Sequence, residues 1–449
     1  MGCVSPVCLS VPDSVLTRLN GRGTITHNQL QNLFMSLSTS SPVAQRVGLV
    51  LALIQLFFTL TWTVYVIFLP QLAAQVGLNK QAVLVILMAD QLIFLIADTA
   101  MGMAADKSVQ VFGQLGRWVV LLTLVSCLAF LLLPFVAASG PAALAWFWLL
   151  TVVWSVTSSA LRAPPMVLLG KYAALASLPR LASLSFLGLG IAGALAPYLT
   201  VNLRGLDPRW PFALSSIALA LATLGIVWAE RTLKAAGVSI QKPSAADAAI
   251  AAQKPPVAPF LMAIALLGIG FQIHFSLNTA PAYLRFAKPA DLEWLMPLFW
   301  IGFNVMLLAN SRLTARFGSV WVMSTAACMG ALATYLSTVA GSLNMVIAMQ
   351  LVAGGAWGLL MPGAFTTALV VGRTGREGWV TGSLFSLLAL ATLARMALVS
   401  SQLNKDTLVG PVLAWLPSAV WVVAGVLLLW LAWQIRRADT AGIHAVAIK

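Results

Sequence analysis

The chain has 449 residues, of which 60% are hydrophobic and 8% charged, against about 45–50% and about 25% in an ordinary soluble domain. With a mean hydropathy of +0.93 it carries too little charge to cover a watery surface, so a soluble fold is excluded and most of the outside must face lipid. A transmembrane β-barrel is excluded too, since its strands alternate polar and apolar over about 10 residues, whereas the apolar runs here are continuous; in this setting the net charge of +14 points to topology and not to nucleic acid.

Residues 1–45 are polar and rich in Ser and Thr, without the basic start and apolar core of a secretory signal. Pro6 stands where a myristoylation signal needs Ser or Thr. The segment reads as a cytoplasmic tail, with Met35 as the expected natural start. Cys3, Cys8, Cys127 and Cys328 form no CxxC pair, so neither a zinc site nor a disulfide framework is expected.

Apolar runs follow at 47–69, 82–105, 118–138, 143–169, 183–203, 210–229, 258–281, 294–311, 319–340, 344–370, 379–402 and 411–434. Each is close to the length that about 20 residues need to cross a bilayer core, so twelve transmembrane helices are predicted. Pro164, Pro165 and Pro179 interrupt the fourth and fifth runs, as prolines do at bends beside a cavity. If the N-terminus is cytoplasmic, 18 of the 26 Lys and Arg fall inside and 6 outside, with Arg162 and Arg395 within spans; both termini are therefore placed in the cytoplasm. A charged, Ala- and Pro-bearing stretch after the sixth run divides the spans equally. The expected organisation is a tail over 1–45, a six-helix bundle over 46–229, a linker over 230–257, a second bundle over 258–434 and a tail over 435–449.

After the second run stands Asp98-Thr-Ala-Met-Gly102-Met-Ala-Ala-Asp106-Lys107, with Gly116-Arg117 opening the third. A degenerate copy runs from Gly302 through Arg312 to Arg316-Phe317-Gly318 in the second half, and Gly372-Arg-Thr-Gly-Arg376-Glu-Gly378 precedes the eleventh run. These motifs resemble the loop motif of the major facilitator superfamily, over residues 46–437. The resemblance implies an all-α membrane protein of two pseudo-symmetric six-helix bundles, no enzyme, moving a small-molecule substrate through a central site lined by the first, fourth, seventh and tenth spans. It also implies that Gly102, Asp106, Lys107, Gly116 and Arg117 latch the halves on the cytoplasmic side, and Asp106 is expected to sit against a neighbouring helix N-terminus and to pair with Arg117 or Lys107. The spacing of Asp98, Gly102, Asp106 and Gly116 is similar to that of the melibiose-type sugar:cation symporters, in which Asp98 would fall on a cation-coordinating aspartate. Phe94 stands four residues before it and the fourth run holds no acid, so a proton is expected as the coupling ion ahead of sodium.

Charge at the bilayer centre costs about 2.5–3.5 kcal/mol on insertion scales, so each ionisable residue within a span needs a partner or a task. Asp90 and Asp98 lie about 80° apart around one helix and are candidates for proton coupling, or for hydrogen bonds that fix packing. Arg162 is a counter-ion for an aspartate, a ligand for an anionic solute, or a residue reaching back to the surface. Arg395 lies deep in the eleventh run with no partner legible. His274, amid Gln272, Ser276 and Asn278, is a candidate for substrate contact, proton exchange or a structural hydrogen bond. Gln55, Thr59, Trp62 and Tyr65 on the first run, and Gln350 and Trp357 on the tenth, complete the expected cavity. No metal or cofactor is expected.

The sequence therefore predicts a monomeric, multi-pass inner-membrane transporter coupled to protons, with solute import favoured. The alternatives are proton-driven efflux of a drug or metabolite, and a membrane assembly factor that keeps the scaffold without transport. Gly188, Gly190 and Gly193 spell GxGxxG inside an apolar run with no preceding strand, so close helix packing is expected there and no dinucleotide.

Overall fold

The computed structural model of the chain describes residues 42–112, 115–173, 177–235, 256–372 and 375–447. Met35, nearly all of the expected N-terminal tail and most of the expected linker lie outside them. Every regular element among the described residues is helical, as lipid demands, since a helix satisfies its own backbone polar groups.

Eleven helical stretches are long and apolar enough to cross a membrane. One of them, Gly116–Tyr172, has 57 residues and would rise about 85 Å as a single helix, nearly three times a bilayer core of about 30 Å. It turns back at Gly140, whose φ of 59° suits a residue without Cβ, and so makes two crossings. Twelve spans result. Spans 1 to 3 are Pro42–Gln75, Lys80–Phe112 and Gly116–Leu132. Span 4 joins Ala143–Ser158 to Ala163–Tyr172, and spans 5 and 6 are Leu178–Asn202 and Arg209–Ala235. Span 7 runs from Val257–Ile273 into Thr279–Leu284. Spans 8 to 12 are Pro297–Phe317, Ser319–Thr338, Leu343–Gly372, Glu377–Ser400 and Val409–Ala447.

Two expected boundaries change. Pro179 does not interrupt span 5 but lies in its first turn, where its missing N–H is harmless. The last helix continues past residue 434 to Ala447, through a stretch that holds no proline to end it.

Helical periodicity separates lipid from core. On span 2, Asp90, Phe94 and Asp98 are buried, whereas Leu92 and Ile96 are exposed. The two halves meet along spans 2 and 11 and along spans 5 and 8, and small residues let the backbones approach. A methyl on Gly102 would overlap the Gly378 carbonyl oxygen, and one on Gly188 the Ala52 carbonyl oxygen of span 1. Gly190 packs on Asn304 and Phe303, and Gly193 on the Trp300 ring, so the GxGxxG run serves helix packing.

Candidate functional site

Between the halves lies a cavity of about 540 Å³, lined from spans 1, 2, 4, 5, 7, 8, 10 and 11. Its shape depends on two broken helices. In span 4, Pro164 and Pro165 offer no N–H to the preceding turn, and the helix passes through a 3-10 turn, Ser159–Leu161, to a break at Arg162. The Leu161 carbonyl, which in a regular helix would accept from residue 165, accepts instead from Gln55 Nε2 at 3.1 Å. In span 7 a π-turn, His274–Asn278, precedes Pro281, and Thr279 donates both its N–H and its hydroxyl to the His274 carbonyl. Such turns re-aim neighbouring side chains, and Gln272, Phe275 and Ser276 face the cavity.

Breaking span 4 delivers Arg162 to the cavity floor. Its Nη1 lies 3.0 Å from Asp98 Oδ2, with the Asp98 side chain fully buried and that of Arg162 16% exposed. The guanidinium sits over the rings of Phe94 and Phe385, 4.8 and 5.1 Å from their centroids, a contact across the seam between halves. One face of this ion pair is therefore enclosed protein and the other is the cavity.

Asp90 lies behind the cavity wall and is fully buried. It accepts hydrogen bonds from Ser155 Oγ at 2.6 Å and Tyr65 Oη at 3.0 Å. Tyr65 is held by Trp154 at a centroid distance of 4.4 Å. Asp90, Tyr65 and Ser155 thus form a closed polar knot inside the first half.

Of the residues expected in the cavity, Gln55, Thr59, Trp62, Gln272 and Trp357 line it, as do Arg162 and Arg395. Tyr65, His274, Asn278 and Gln350 are not among the lining residues. His274 is buried within the second half, its Nε2 3.2 Å from Gln350 Oε1, and Gln350 Nε2 donates to Ser337 Oγ at 3.4 Å. Asn278 donates to the Leu413 carbonyl of span 12 at 2.9 Å. Arg395 acquires a partner that its sequence position did not suggest: its Nε donates to Gln272 Oε1 at 3.1 Å. Sequence reasoning also misses Phe58, Phe275, Trp300 and Phe385, although the spacing of Phe271 and Phe275 by one helical turn carries a faint signal.

Below the cavity the seam is closed by the loop motif. Asp106 accepts from the backbone N–H groups of Gly378 and Trp379 at 2.9 and 3.0 Å, which caps the start of span 11 with negative charge. Thr99 and Ser386 share a hydrogen bond of 2.7 Å higher on the same seam. The expected pairing of Asp106 with Arg117 or Lys107 is not found: both cations are exposed, and Asp106 pairs with Lys171 Nζ at 3.7 Å. The reason is that Asp106 faces the opposite half. Gly116 has its own acid, Glu230, which accepts from the N–H groups of Leu115 and Gly116 at 2.9 and 2.8 Å and would crowd any Cβ at 116. Gly302 of the degenerate copy packs on the Leu351 backbone of span 10, inside the second half.

No protein-family model and no curated relative matches the sequence. Solved structures do. The human organic anion transporter MFSD10 superposes with a TM-score of 0.61 at 16% identity, over 88% of this chain and 100% of that one. A bacterial homologue of the iron transporter ferroportin, in its outward-facing state, gives 0.65 at 15% over 86% and 99%. The proton:xylose symporter XylE, of the major facilitator superfamily, gives 0.61 at 12% over 86% and 95%. This is the major facilitator fold. Within the major facilitator fold, the Arg162–Asp98 pair and the Asp106 cap both lie along span 2, one at the cavity floor and one at the closed seam beneath it.

Proposed function

We propose that the chain is a secondary active transporter that moves a small solute by alternating access, as a monomer in the inner membrane with both termini cytoplasmic. The observation that carries the reading is a cavity in the seam between the halves, closed at one end by contacts that separate without breaking either half. Those contacts include backbone on glycine and a carboxylate on two N–H groups, beside apolar side chains such as Phe186 on Phe365 that pack across the seam. On the proposed topology the closed end is cytoplasmic and the cavity opens outward. The solved relatives in fold are named for an organic anion, iron and xylose, so the fold by itself chooses no cargo.

We read the Asp98–Arg162 pair as the coupling element. A proton arriving on the Asp98 carboxylate ends its attraction for the guanidinium 3.0 Å away and leaves Arg162 free to turn toward the cavity or the opposite half. Enclosure makes that event consequential, because a charge in a dry site interacts far more strongly than one in water. A sodium role for Asp98, as the melibiose-type likeness suggests, fits less well, since Arg162 already occupies the carboxylate's cationic side. Import with the proton is the favoured direction. Efflux of a drug or metabolite uses the same parts in reverse, and the assembly-factor alternative leaves the coupling pair without a purpose.

The test is flux into proteoliposomes holding the purified chain, with a solute panel first screened for thermal stabilisation. We expect a stabilising solute to accumulate when a pH gradient is imposed and to leak away when a protonophore collapses it. Gradient-independent behaviour of every stabilising solute would contradict proton coupling. Absence of any flux would favour the assembly factor.

A further inference from the structure

The nature of the cargo follows from the charges that reach the cavity, granted the transporter reading above. The lining holds two guanidinium groups and, among the described residues, no Asp, Glu, Lys or His. Arg162 is compensated from behind by Asp98. Arg395 is not: its partner is the neutral amide of Gln272, bound through Nε, and among the described residues it makes no ion pair. Its two Nη nitrogens make no hydrogen bond to described residues, and they form one side of the planar fork that matches a carboxylate. A partly buried cation in a low-dielectric site is costly until an anion meets it.

The wall beside Arg395 is aromatic. Phe271 stacks on Trp357 with centroids 4.4 Å apart and planes 2° from parallel, and on Phe275 at 5.6 Å and 9°. Trp300 stands edge-on to Phe275 at 5.5 Å. Flat apolar faces beside one unpaired cation suit a solute with a flat or aliphatic body and one negative end. The volume of about 540 Å³ falls within the range of about 300–1,000 Å³ that holds small organic ligands.

We infer that the cavity binds an amphipathic organic anion, its carboxylate or equivalent group on the free edge of Arg395 and its apolar body against Phe275 and Trp300. The same geometry ties anion to proton. Among the described residues the Asp98 carboxylate has one charged partner, Arg162 of span 4, while its backbone carbonyl lies against Gly382 of span 11. Protonating Asp98 therefore adds Arg162 to Arg395 as a second free cation, and by linkage a bound anion favours the proton equally.

The experiment uses the purified full-length chain and three carboxylates, 4-phenylbutyrate, indole-3-acetate and octanoate, each beside its amide and its amine. Thermal unfolding is followed between pH 8 and pH 6, where all three acids remain ionised. At least one carboxylate should raise the Tm while its amide and amine do not, with a larger shift at pH 6. Arg395→Gln should weaken the apparent carboxylate affinity by about 30-fold or more, and Arg395→Lys, which keeps the charge and loses the fork, should fall between. Equal shifts by amides or amines would overturn the anion site. So would the lack of any carboxylate shift that Arg395→Gln or Arg395→Lys diminishes. Counterflow in proteoliposomes separates the two readings. Carboxylate binding without counterflow contradicts the transporter and leaves the anion site standing, whereas counterflow of a neutral or cationic member alone contradicts the anion site and leaves the transporter.

Discussion

In the first half the buried acids are met by groups that can respond to them: Asp90 by the hydroxyls of Tyr65 and Ser155, and Asp98 by Arg162 at the cavity floor. In the second half the buried acid, Glu377, stands away from the cavity at the start of span 11, His274 and Gln350 are neutral partners, with Gln350 also bound to Ser337, and the cavity cation, Arg395, faces an amide. Asymmetry of this kind lets a pseudo-symmetric scaffold divide its labour. On the proposed coupling, the half with the Asp98–Arg162 pair is the one that responds to a proton, while the other presents Arg395 and an aromatic wall. Both depend on an interruption of a span, a proline pair in span 4 and a π-turn in span 7.

The largest expected effect comes from stranding a buried charge. Arg162→Ala leaves the Asp98 carboxylate enclosed and unpaired and should cost about 3–5 kcal/mol of stability, read as a steep fall in Tm. Adding Asp98→Asn should restore much of that loss, and the double-mutant cycle gives the coupling directly. In the second half, Arg395→Ala strands no acid and should cost less than about 1 kcal/mol. Equal losses at 162 and 395 would erase the contrast between the halves.

A smaller effect is expected at the closed seam. Asp106→Asn removes the charge from two helix-capping hydrogen bonds, worth about 1–2 kcal/mol together, and should shift the seam toward opening on the order of 10-fold. The check is the alkylation rate of a cysteine placed at Ser386, which should rise in the Asp106→Asn background and stay low without it. The smallest effect is expected at His274→Gln, which can keep a hydrogen bond to Gln350 and should change stability by less than about 1 kcal/mol and leave accumulation intact. Lost accumulation in that variant would make His274 part of the coupling route and move the comparison between halves.

The twelve spans were readable from the chain, because lipid imposes long apolar runs, and so was the close helix approach at Gly102. That Arg162 could counter an aspartate was also readable, since few charges lie within spans and each needs a partner. The Arg395 partner was not, because Gln272 is 123 residues away on another span and only the packing of spans 7 and 11 brings them together. Side-chain facing was the other failure. Tyr65 and Gln350 sit on spans that do line the cavity, yet they turn into the interior of their own half, while Phe58 and Trp300 turn inward from helices whose lipid faces are equally apolar. In a membrane helix the hydrophobic pattern does not separate these faces as it does in water. Asp106 illustrates a third limit: its place against a helix N-terminus was legible, but the sequence put Lys107 and Arg117 beside it, whereas the fold brings in Lys171.

In the proposed cycle a proton on Asp98 acts by releasing Arg162. Its most direct test compares uphill accumulation with exchange in proteoliposomes bearing the Asp98→Asn variant, under an imposed pH gradient and with the solute that stabilises the protein. Loss of accumulation with exchange retained is the predicted result, because the variant imitates the protonated carboxyl permanently. Undiminished accumulation by the variant would contradict the account and remove Asp98 from the coupling route.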